Sequence, residues 1–391
     1  MSKQEEKGLV PERRFPEFKD DQEWKVKSFN ELFTIGNGRD YKHLSSGDIP
    51  VYGSGGYMLS VNDYLHNGES VCIGRKGTIN NPIFLTGKFW TVDTLFYTHS
   101  FNDCLPRFIY SIFQKIDWLK HNEAGGVPSL SKNNIIKIKV AIPELKEQQK
   151  IADFITSADE LITVQTQKLD ALRAYKKGLM QQLFPSEGKT LPKRRFPEFQ
   201  DAPEWKEKRL GDIGKVRMCK RIFKEQTSPR GDIPFYKIGT FGGVPDAYIS
   251  SEIFENYRNN FPFPKIGAVL ISAAGTIGRT VIYKGELAYF QDSNIVWLDN
   301  NENLITDNFL FYLYQLINWV PSVGAIQRLY NDNILGAKVK FPSILEQQKI
   351  SDCLASLDEL IFNQAKKIET LNAHKRCLMQ QIFPSIDEVS E

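Results

Sequence analysis

The sequence has little of what a disulfide-stapled, zinc-binding or membrane protein needs. Its five cysteines never form a CxxC pair and its five histidines form no HExxH, so we expect neither a disulfide framework nor a metal site. Thiols without partners suit a reducing compartment, and we expect the chain in the cytoplasm. No run of 18 apolar residues exists, and charged residues stand where a signal peptide would be apolar.

A strong charge of one sign is also missing. The 50 Lys and Arg residues against 47 Asp and Glu residues give a net charge of +3, so any contact with DNA has to come from local basic patches. Hydrophobic residues make up 41% and charged residues 25% of the chain, which is ordinary for a globular protein. At roughly 150 residues per domain, 391 residues predict two or three folded domains.

The chain contains an internal repeat. The segment RRFPEF at 13–18 returns at 194–199, EQQKI at 147–151 returns at 346–350, and LMQQ at 179–182 returns at 378–381. Identity is dense in these segments and sparse in the two bodies between them, 24–143 and 205–342. We interpret this as one scaffold used twice, carrying two parts that have diverged.

The repeated stretch predicts a coiled coil. Alternating steps of four and three select ten positions, of which eight are apolar: Ile151, Ile155, Ala158, Ile162, Gln165, Leu169, Leu172, Lys176, Leu179 and Leu183. The same steps in the second copy select Ile350, Leu354, Leu357, Ile361, Gln364, Ile368, Leu371, Lys375, Leu378 and Ile382. This 3.5-residue repeat is typical of a coiled-coil seam, and prolines at 143, 185, 342 and 384 bound two long helices.

Charge favours antiparallel pairing of these helices. Each is acidic in its first half and basic in its second, so antiparallel packing opposes unlike charges. At about 1.5 Å per residue, about 40 residues make a rod of about 60 Å. In this arrangement Gln165 and Gln364 would lie close enough to hydrogen-bond, and Lys176 and Lys375 would be the other polar seam positions. The alternative is that each helix packs only on its own body.

The two bodies are expected to be short strands joined by Gly-rich turns, with a strand at 71–73 and another at 269–271 each entering a tight loop. The loop carries Arg75 and Lys76 in the first body but Ala273 and Ala274 in the second. Arg and Lys donate to guanine edges whereas Ala makes only apolar contacts. Two loops of the same pattern with these different side chains are what two readers of different sequences would show.

Candidate DNA-binding residues lie near these turns, although a solvated surface is the alternative for any single one. In the first body they are Arg39, Lys42, Ser54, Arg75, Lys76, Asn80, Ser129 and Lys132. In the second body they are Arg217, Lys220, Arg221, Lys224, Lys237, Thr240, Arg279, Gln327 and Arg328. The first four of the second set have helical spacing and would form one basic face if the segment is helical.

Catalytic motifs fail on inspection. The segment NPIF at 81–84 lacks the second proline of the loop found in adenine methyltransferases, and GKT at 188–190 lacks the first glycine of a P-loop. The segment GSGG at 53–56 lacks the spacing of a nucleophile elbow. We therefore expect no catalysis by this chain, no cofactor and no metal.

The repeated sequence resembles the DNA-specificity subunit of type I restriction-modification systems. The carriers are two bodies that each close with a Leu-rich turn, at 126–135 and 324–334, followed by EQQKI and by DELI at 159–162 and 358–361. The resemblance implies an α+β fold in which two mixed α/β target-recognition domains are separated by an antiparallel pair of coiled-coil helices with pseudo-twofold symmetry.

The same resemblance implies a division of labour. Each recognition domain would read one half of a split, asymmetric site in double-stranded DNA, and two methyltransferase subunits and restriction/translocase subunits would assemble around the chain. The expected domains are a connector at 1–23, recognition domain 1 at 24–143, spacer helix 1 at 144–184, a linker at 185–204, recognition domain 2 at 205–342, spacer helix 2 at 343–384 and a tail at 385–391. The alternative function is a non-enzymatic scaffold whose bodies bind protein partners without reading DNA.

Overall fold

The fold consists of two units built on a similar plan. The computed structural model describes residues 9–322 and 327–384, so the start of the connector, residues 324–326 of the second closing turn and the tail at 385–391 lie outside the described residues. Unit 1 comprises the residues up to 168 together with those from 364 onward, and unit 2 comprises 169–363. Both units mix helices with sheets, as the sequence predicts.

The first body has ten strands and three short helices. In chain order they are β1 (Lys25–Ser28), α1 (Phe29–Leu32), β2 (Thr34–Asn37), β3 (Ser46–Gly53), β4 (Gly56–Val61), β5 (His66–Asn67), β6 (Ser70–Gly74), β7 (Ile83–Leu85), β8 (Lys88–Thr91), β9 (Leu95–His99), α2 (Pro106–Lys115), α3 (Lys132–Ile135) and β10 (Lys139–Ile142), followed by the long helix α4 (Leu145–Leu183). The sheets have the orders β1-β10, β2-β9-β6-β7 and β4-β3-β8-β5.

The second body repeats this plan. Its elements are β11 (Lys206–Arg209), β12 (Gly214–Arg217), β13 (Ile233–Tyr236), β14 (Tyr248–Ile249), α5 (Ser251–Asn260), β15 (Val269–Ser272), β16 (Thr280–Ile282), β17 (Tyr289–Phe290), β18 (Ile295–Asn300), α6 (Asp307–Tyr314), α7 (Asn331–Leu335) and β19 (Lys338–Phe341), followed by the long helix α8 (Ile344–Ile382). The sheets have the orders β11-β19, β12-β18-β15-β16 and β14-β13-β17.

Pairing within these sheets matches between the bodies. Strand β3 runs parallel to β8 and β13 runs parallel to β17, whereas the other pairings are antiparallel. The repeat seen in the connectors and helices therefore extends through bodies whose sequences have diverged.

In each unit the two long helices run antiparallel, as the charge pattern predicts. In unit 1 Asp159 of α4 lies 2.5 Å from Lys375 of α8, while Gln165, further along α4, bonds Gln364, which comes earlier in α8. In unit 2 Lys176 lies 2.5 Å from Asp358. All ten predicted seam positions of each helix are buried or half-buried, so the alternative that each helix packs only on its own body is wrong.

The core of each unit joins the body to the end of the other repeat's helix. In unit 1 Trp24 packs edge-on against Phe108 of α2 and against Phe383, which follows α8. In unit 2 Trp205 packs in the same way against Phe309 and Phe184. Burying rings of this size from three segments is a large hydrophobic contribution, which holds body and helices together.

Buried glutamines fix the starts of the long helices. Gln148 donates from Nε2 to the carbonyls of Pro143 (2.8 Å) and Asp103 (3.0 Å) and accepts from the backbone N–H of Leu105 at 2.9 Å. Gln347 makes the matching set of bonds in unit 2. A fully bonded buried amide gives each helix one defined starting geometry.

Among the described residues, no helix is long and apolar enough to cross a membrane.

Candidate nucleic-acid interface

The first body presents its basic loop on a backbone that is held from both sides. The N–H of Arg75 donates to the carbonyl of Thr94 at 2.8 Å, and the N–H of Leu130 donates to the carbonyl of Arg75 at 2.9 Å. Lys76 and Ser129 form a β-bridge. The side chains of Arg75 and Lys76 are exposed, so the backbone is immobilised while the charged groups remain available to a ligand.

Gly77 lets the neighbouring hairpin approach this loop. Its φ of +91° is in the region that favours glycine, and a Cβ there would lie 3.3 Å from Oγ of Ser54. Ser54 and Gly55 form the turn between β3 and β4. The structure thus brings Ser54 next to the loop that carries the two cations.

A groove of about 710 Å³ opens beside the hairpin, lined by residues 40–42, 53–58 and 92–94. Lys42 is one of these residues, and Arg39 stands at the edge, where its N–H donates to the carbonyl of Thr91 at 2.8 Å. Of the predicted residues, Lys42 and Ser54 line the groove and Arg39 is at its edge. The loop with Arg75 and Lys76 adjoins it, because the N–H of Arg75 bonds the carbonyl of Thr94, which is a lining residue. Ser129 is bridged to Lys76 in the same loop. Two exposed carboxylates that sequence reasoning did not single out, Asp40 and Asp93, also line the groove.

The two remaining predicted residues of the first body do not line this groove. Asn80 is exposed three positions after Gly77. Lys132 begins α3 and lies near His99 of β9: burial lowers the pKa of His99, and the Lys132 ammonium lowers it further. His99, His66 and Tyr97 form a cluster of rings, with the two histidine centroids 5.6 and 5.5 Å from that of Tyr97 and 6.1 Å from each other.

The second body repeats the frame with other side chains. The N–H of Ala273 donates to the carbonyl of Asn294 at 2.7 Å, the N–H of Leu329 donates to the carbonyl of Ala273 at 2.8 Å, and Ala274 forms a β-bridge with Arg328. In the second body the basic residue of the bridge is thus Arg328, in the turn that closes the body, whereas in the first body it is Lys76 of the loop. The guanidinium of Arg328 donates to the carbonyl of Ser293 and lies 5.8 Å from the ring centre of Tyr330.

A long loop, 237–247, replaces the tight turn of the first body's hairpin. Lys237 pairs with Asp246 at 2.9 Å, and its N–H donates to Oγ1 of Thr240 at 3.1 Å. Arg279 reaches this loop and donates to the carbonyl of Phe241 at 2.8 Å. Lys237, Thr240 and Arg279 are therefore brought together, and exposed Gln327 precedes Arg328 in the chain.

The segment 217–224 is not helical, so the condition for a basic helix face is not met. Arg217 ends strand β12 opposite Trp297, Lys220 and Arg221 are in irregular backbone, and Lys224 begins a single 3-10 turn. The four charged residues thus have helical spacing without being helical, because the pairing of β12 with β18 decides the backbone at Arg217.

Three of these four cations, Arg217, Lys220 and Arg221, have partners in different segments. Arg217 pairs with Asp299 at 3.3 Å, and the Lys220 ammonium lies 4.9 Å from the ring centre of Phe261. Arg221 pairs at 2.9 Å with Asp292, the neighbour of the Ser293 that accepts from Arg328. Of the four, Arg221 is the one whose contacts tie it to the matched loop.

Comparisons with known proteins agree with this arrangement of two matched bodies. A model of the type I restriction modification DNA specificity domain matches residues 21–174 and again residues 203–373. The chain belongs to this family. A putative type I restriction enzyme specificity subunit of Haemophilus influenzae is 38% identical over 320 residues, which cover 81% of each chain. The MjaVIII specificity subunit of Methanocaldococcus jannaschii is 24% identical over 81% of this chain and 76% of its own.

Solved structures show the same fold. The S subunit of the type I restriction-modification system of M. genitalium superposes with a TM-score of 0.65 at 15% identity, covering 97% of this chain and 100% of that one. A chain from a structural study of complex assembly and conformational transition in the type I system superposes with a TM-score of 0.55 at 15% identity, over 92% and 97% of the two chains. The two-unit plan is therefore that of the specificity-domain fold.

The seam of this specificity-family chain contains polar pairs that the repeat locates. Gln364, which is buried, donates from Nε2 to Oε1 of Gln165 at 3.0 Å and to its carbonyl at 2.9 Å. Lys375 is held by Asp159 and by Oε1 of Gln114 at 3.0 Å. The sequence indicated the glutamines and lysines but not the aspartates of DELI that pair with the lysines.

Sequence reasoning also missed what the connectors do. In unit 1 Arg14 of RRFPEF makes a two-pronged ion pair with Glu147 of EQQKI, Nε to Oε1 at 2.8 Å and Nη2 to Oε2 at 2.7 Å. Arg195 and Glu346 repeat the pair in unit 2. The hydrogen bond to the glutamate raises the pKa of each arginine above its ordinary value. The available signal was that both motifs, RRFPEF with its arginines and EQQKI with its glutamate, are unchanged in the two copies.

Among the described residues, no group of three or more His, Cys, Asp or Glu side chains is placed to hold a metal ion.

Proposed function

We propose that this chain is the sequence-specific DNA-binding subunit of a type I restriction-modification complex, in which each body reads one half of a bipartite, asymmetric site. The observation that carries the proposal is the matched frame. Backbone bonds of the same pattern hold Arg75 and Lys76 in one body and Ala273 and Ala274 in the other. Different side chains on equivalent backbones are what two readers of different base sequences require.

Charge and chemistry divide the contacts around the first groove. Arg75 and Lys76 are donors for guanine O6 and N7 or for phosphate oxygens, and the carboxylates of Asp40 and Asp93 are acceptors for the amino group of cytosine. In the second body Lys237, Arg279 and Arg328 supply the donors. Asn80, Lys132, Gln327 and the cations of 217–224 are proposed as flanking contacts that position the duplex.

The long helices have a separate role in the proposal. They set the number of base pairs between the two half-sites and dock two methyltransferase subunits. Methylation and cleavage belong to those subunits and to restriction/translocase subunits, and this chain itself is not an enzyme and carries no cofactor. Since the DNA to be read lies in the cytoplasm of a prokaryotic cell, we place the complex there.

The experiment replaces both loop cations with alanine, Arg75→Ala with Lys76→Ala, in the full chain assembled with its methyltransferase subunits. Binding to the cognate duplex should weaken by about 1–3 kcal/mol per lost base contact, and discrimination should relax in one half-site only. The matched control removes two exposed lysines of the same body, Lys88 and Lys120, which lie outside the loop that carries Arg75 and Lys76.

The salt dependence separates the possible results. If the loop contacts phosphates, binding weakens on all sequences and the salt slope becomes shallower. If the variant and the control behave alike, the loop does not read bases. If the wild-type complex selects no sequence at all, the chain is a protein scaffold and the proposed function is wrong.

A further inference from the structure

The β3–β4 hairpin of the first body carries large apolar side chains at its tip. Tyr57 is 62% exposed and Met58 is 48% exposed, and they are the second and third residues of β4. The register shifts here, since Tyr52 pairs with Tyr57 and Val51 with Leu59, which leaves Met58 as an extra residue of β4. Both side chains line the groove, and the described part of the chain leaves them largely uncovered.

Each of the two side chains has one close neighbour. The sulfur of Met58 would be 3.0 Å from a Cβ added to Gly53. Tyr57 lies edge-on to Tyr52 at 6.1 Å between ring centres, with its hydroxyl 3.2 Å from that of Ser60. Both side chains are thus held from one direction and open in the other.

The second body has an exposed apolar residue in the loop that replaces this turn. Its inner strand β13 pairs in parallel with β17 as β3 does with β8, and the loop that follows it, 237–247, carries Val244, which is 85% exposed. That loop contacts the neighbouring turn through Arg279 and the carbonyl of Phe241, as Ser54 contacts the turn at Gly77 in the first body. Two diverged bodies therefore keep one feature, an apolar tip beside the loop that carries the candidate contacts.

The charges around the tip indicate what covers it. Lys42, Arg75 and Lys76 flank the hairpin and attract a polyanion, but Asp40 and Asp93 inside the groove repel a phosphate. Base edges carry amino donors and no charge, so they suit this groove better than backbone does. A two-stranded ribbon fits the major groove of B-DNA, where the C5-methyl of thymine is the one apolar group on a base edge.

We propose that Tyr57 and Met58 contact the C5-methyl of thymine in the half-site read by the first body, and that Val244 makes the corresponding contact in the other half-site. The proposal rests on the proposed function. It adds apolar specificity determinants to a surface that sequence reasoning described only through its polar residues.

The experiment compares thymine with uracil, which differs by this methyl group alone. The full chain with its methyltransferase subunits first selects its site from a library of random duplexes. Each thymine of both half-sites is then replaced singly by uracil, and dissociation constants are measured by fluorescence anisotropy. Losing one buried methyl should weaken wild-type binding about fourfold at one or two positions of each half-site.

Variants assign the effect to the tips. Tyr57→Ala with Met58→Ala should bind more weakly and lose the uracil effect in one half-site while keeping it in the other. Val244→Ser should lose the uracil effect in the other half-site and keep it in the half-site read by the first body. The matched control is Tyr64→Ala, an exposed tyrosine beyond the far end of β4, which should keep the full uracil effect in both half-sites.

The outcomes are decisive in each case. In the wild type, the proposal is overturned if uracil binds as well as thymine at every position or if a half-site contains no thymine. In the variants, it is overturned if both tip variants act on the same half-site. It is also overturned if they prevent assembly with the methyltransferase subunits instead of altering DNA binding. The uracil scan uses the wild type alone, so the absence of a uracil effect overturns the proposal even if a variant does not fold. A selection that yields no motif overturns the proposed function as well, which distinguishes the two failures.

Discussion

The pair of Arg14 and Glu147 offers the most direct test of how the repeated motifs hold a unit together. Their side chains are only 6% and 2% exposed, and the guanidinium also donates to the carbonyls of Asp21 and Gln22 at 2.8 and 3.0 Å. Glu147→Ala leaves a buried guanidinium without its counter-ion. Removing one partner of a buried pair costs about 3–5 kcal/mol, and the two remaining carbonyl acceptors put the expected loss near the lower figure.

The assay is thermal and urea unfolding of the full chain, with hydrogen exchange at the start of α4 as a local readout. At about 2–4 °C per kcal/mol for a unit of this size, Glu147→Ala should lower the unit's Tm by about 10 °C. The exposed pair of Lys25 and Glu144, 3.1 Å apart and 62% and 72% exposed, provides the control. Glu144→Ala should change the free energy of unfolding by less than about 1 kcal/mol.

The double variant Arg14→Met with Glu147→Met checks the physical reason. An apolar pair of similar size needs no counter-ion, so its stability should return to within about 1–2 kcal/mol of the wild type. A double variant as unstable as Glu147→Ala would refute the argument from an uncompensated charge. So would a Glu147→Ala protein that unfolds like Glu144→Ala. Glu346→Ala should repeat the effect in unit 2, where Arg195 is the partner.

Two further predictions concern the seam and the histidines. Changing Gln165 and Gln364 together to Leu should raise Tm, because an apolar seam is more stable than a buried amide pair, and should make the spacing between half-sites heterogeneous. Sequencing the selected sites checks this, and one unaltered spacing contradicts it. Burial lowers the pKa of His66 and His99. Below about pH 6.5 the unfolded chain therefore binds more protons than the folded one, and the free energy of unfolding decreases as the pH is lowered. Urea midpoints at pH 7.5 and 5.5 should therefore differ less when both histidines are Gln, and an equal difference contradicts the assignment.

The parts of the fold that the sequence predicts best are the long helices. Ten seam positions in a strict repeat, bounded by proline, are compatible with little other than a long helix. The helices span Leu145–Leu183 and Ile344–Ile382. The opposed charges of their halves also predicted the antiparallel direction correctly. The repeat further indicated which glutamines meet, since antiparallel helices of equal length bring matched central positions together.

The remaining features depend on contacts between segments far apart in the chain. Nothing local in RRFPEF shows that Arg14 reaches Glu147, 133 residues away. The basic run at 217–224 has helical spacing but is not helical, because Arg217 ends a strand that pairs with β18 and the backbone after it is irregular. The groove was missed because Asp40 and Asp93 come from separate loops, and a search for cations does not select them. These features could be found only once the sheets had placed the loops side by side.

The most direct test of the account is to exchange one body and read the site that results. Residues 24–143 are replaced by the corresponding body of another family member, and the DNA motif selected by the assembled complex is determined from a random library. One half of the motif should change, while the other half and the spacing between them stay as they were. A motif in which both halves change, or in which the spacing changes, would contradict the assignment of one reader to each body.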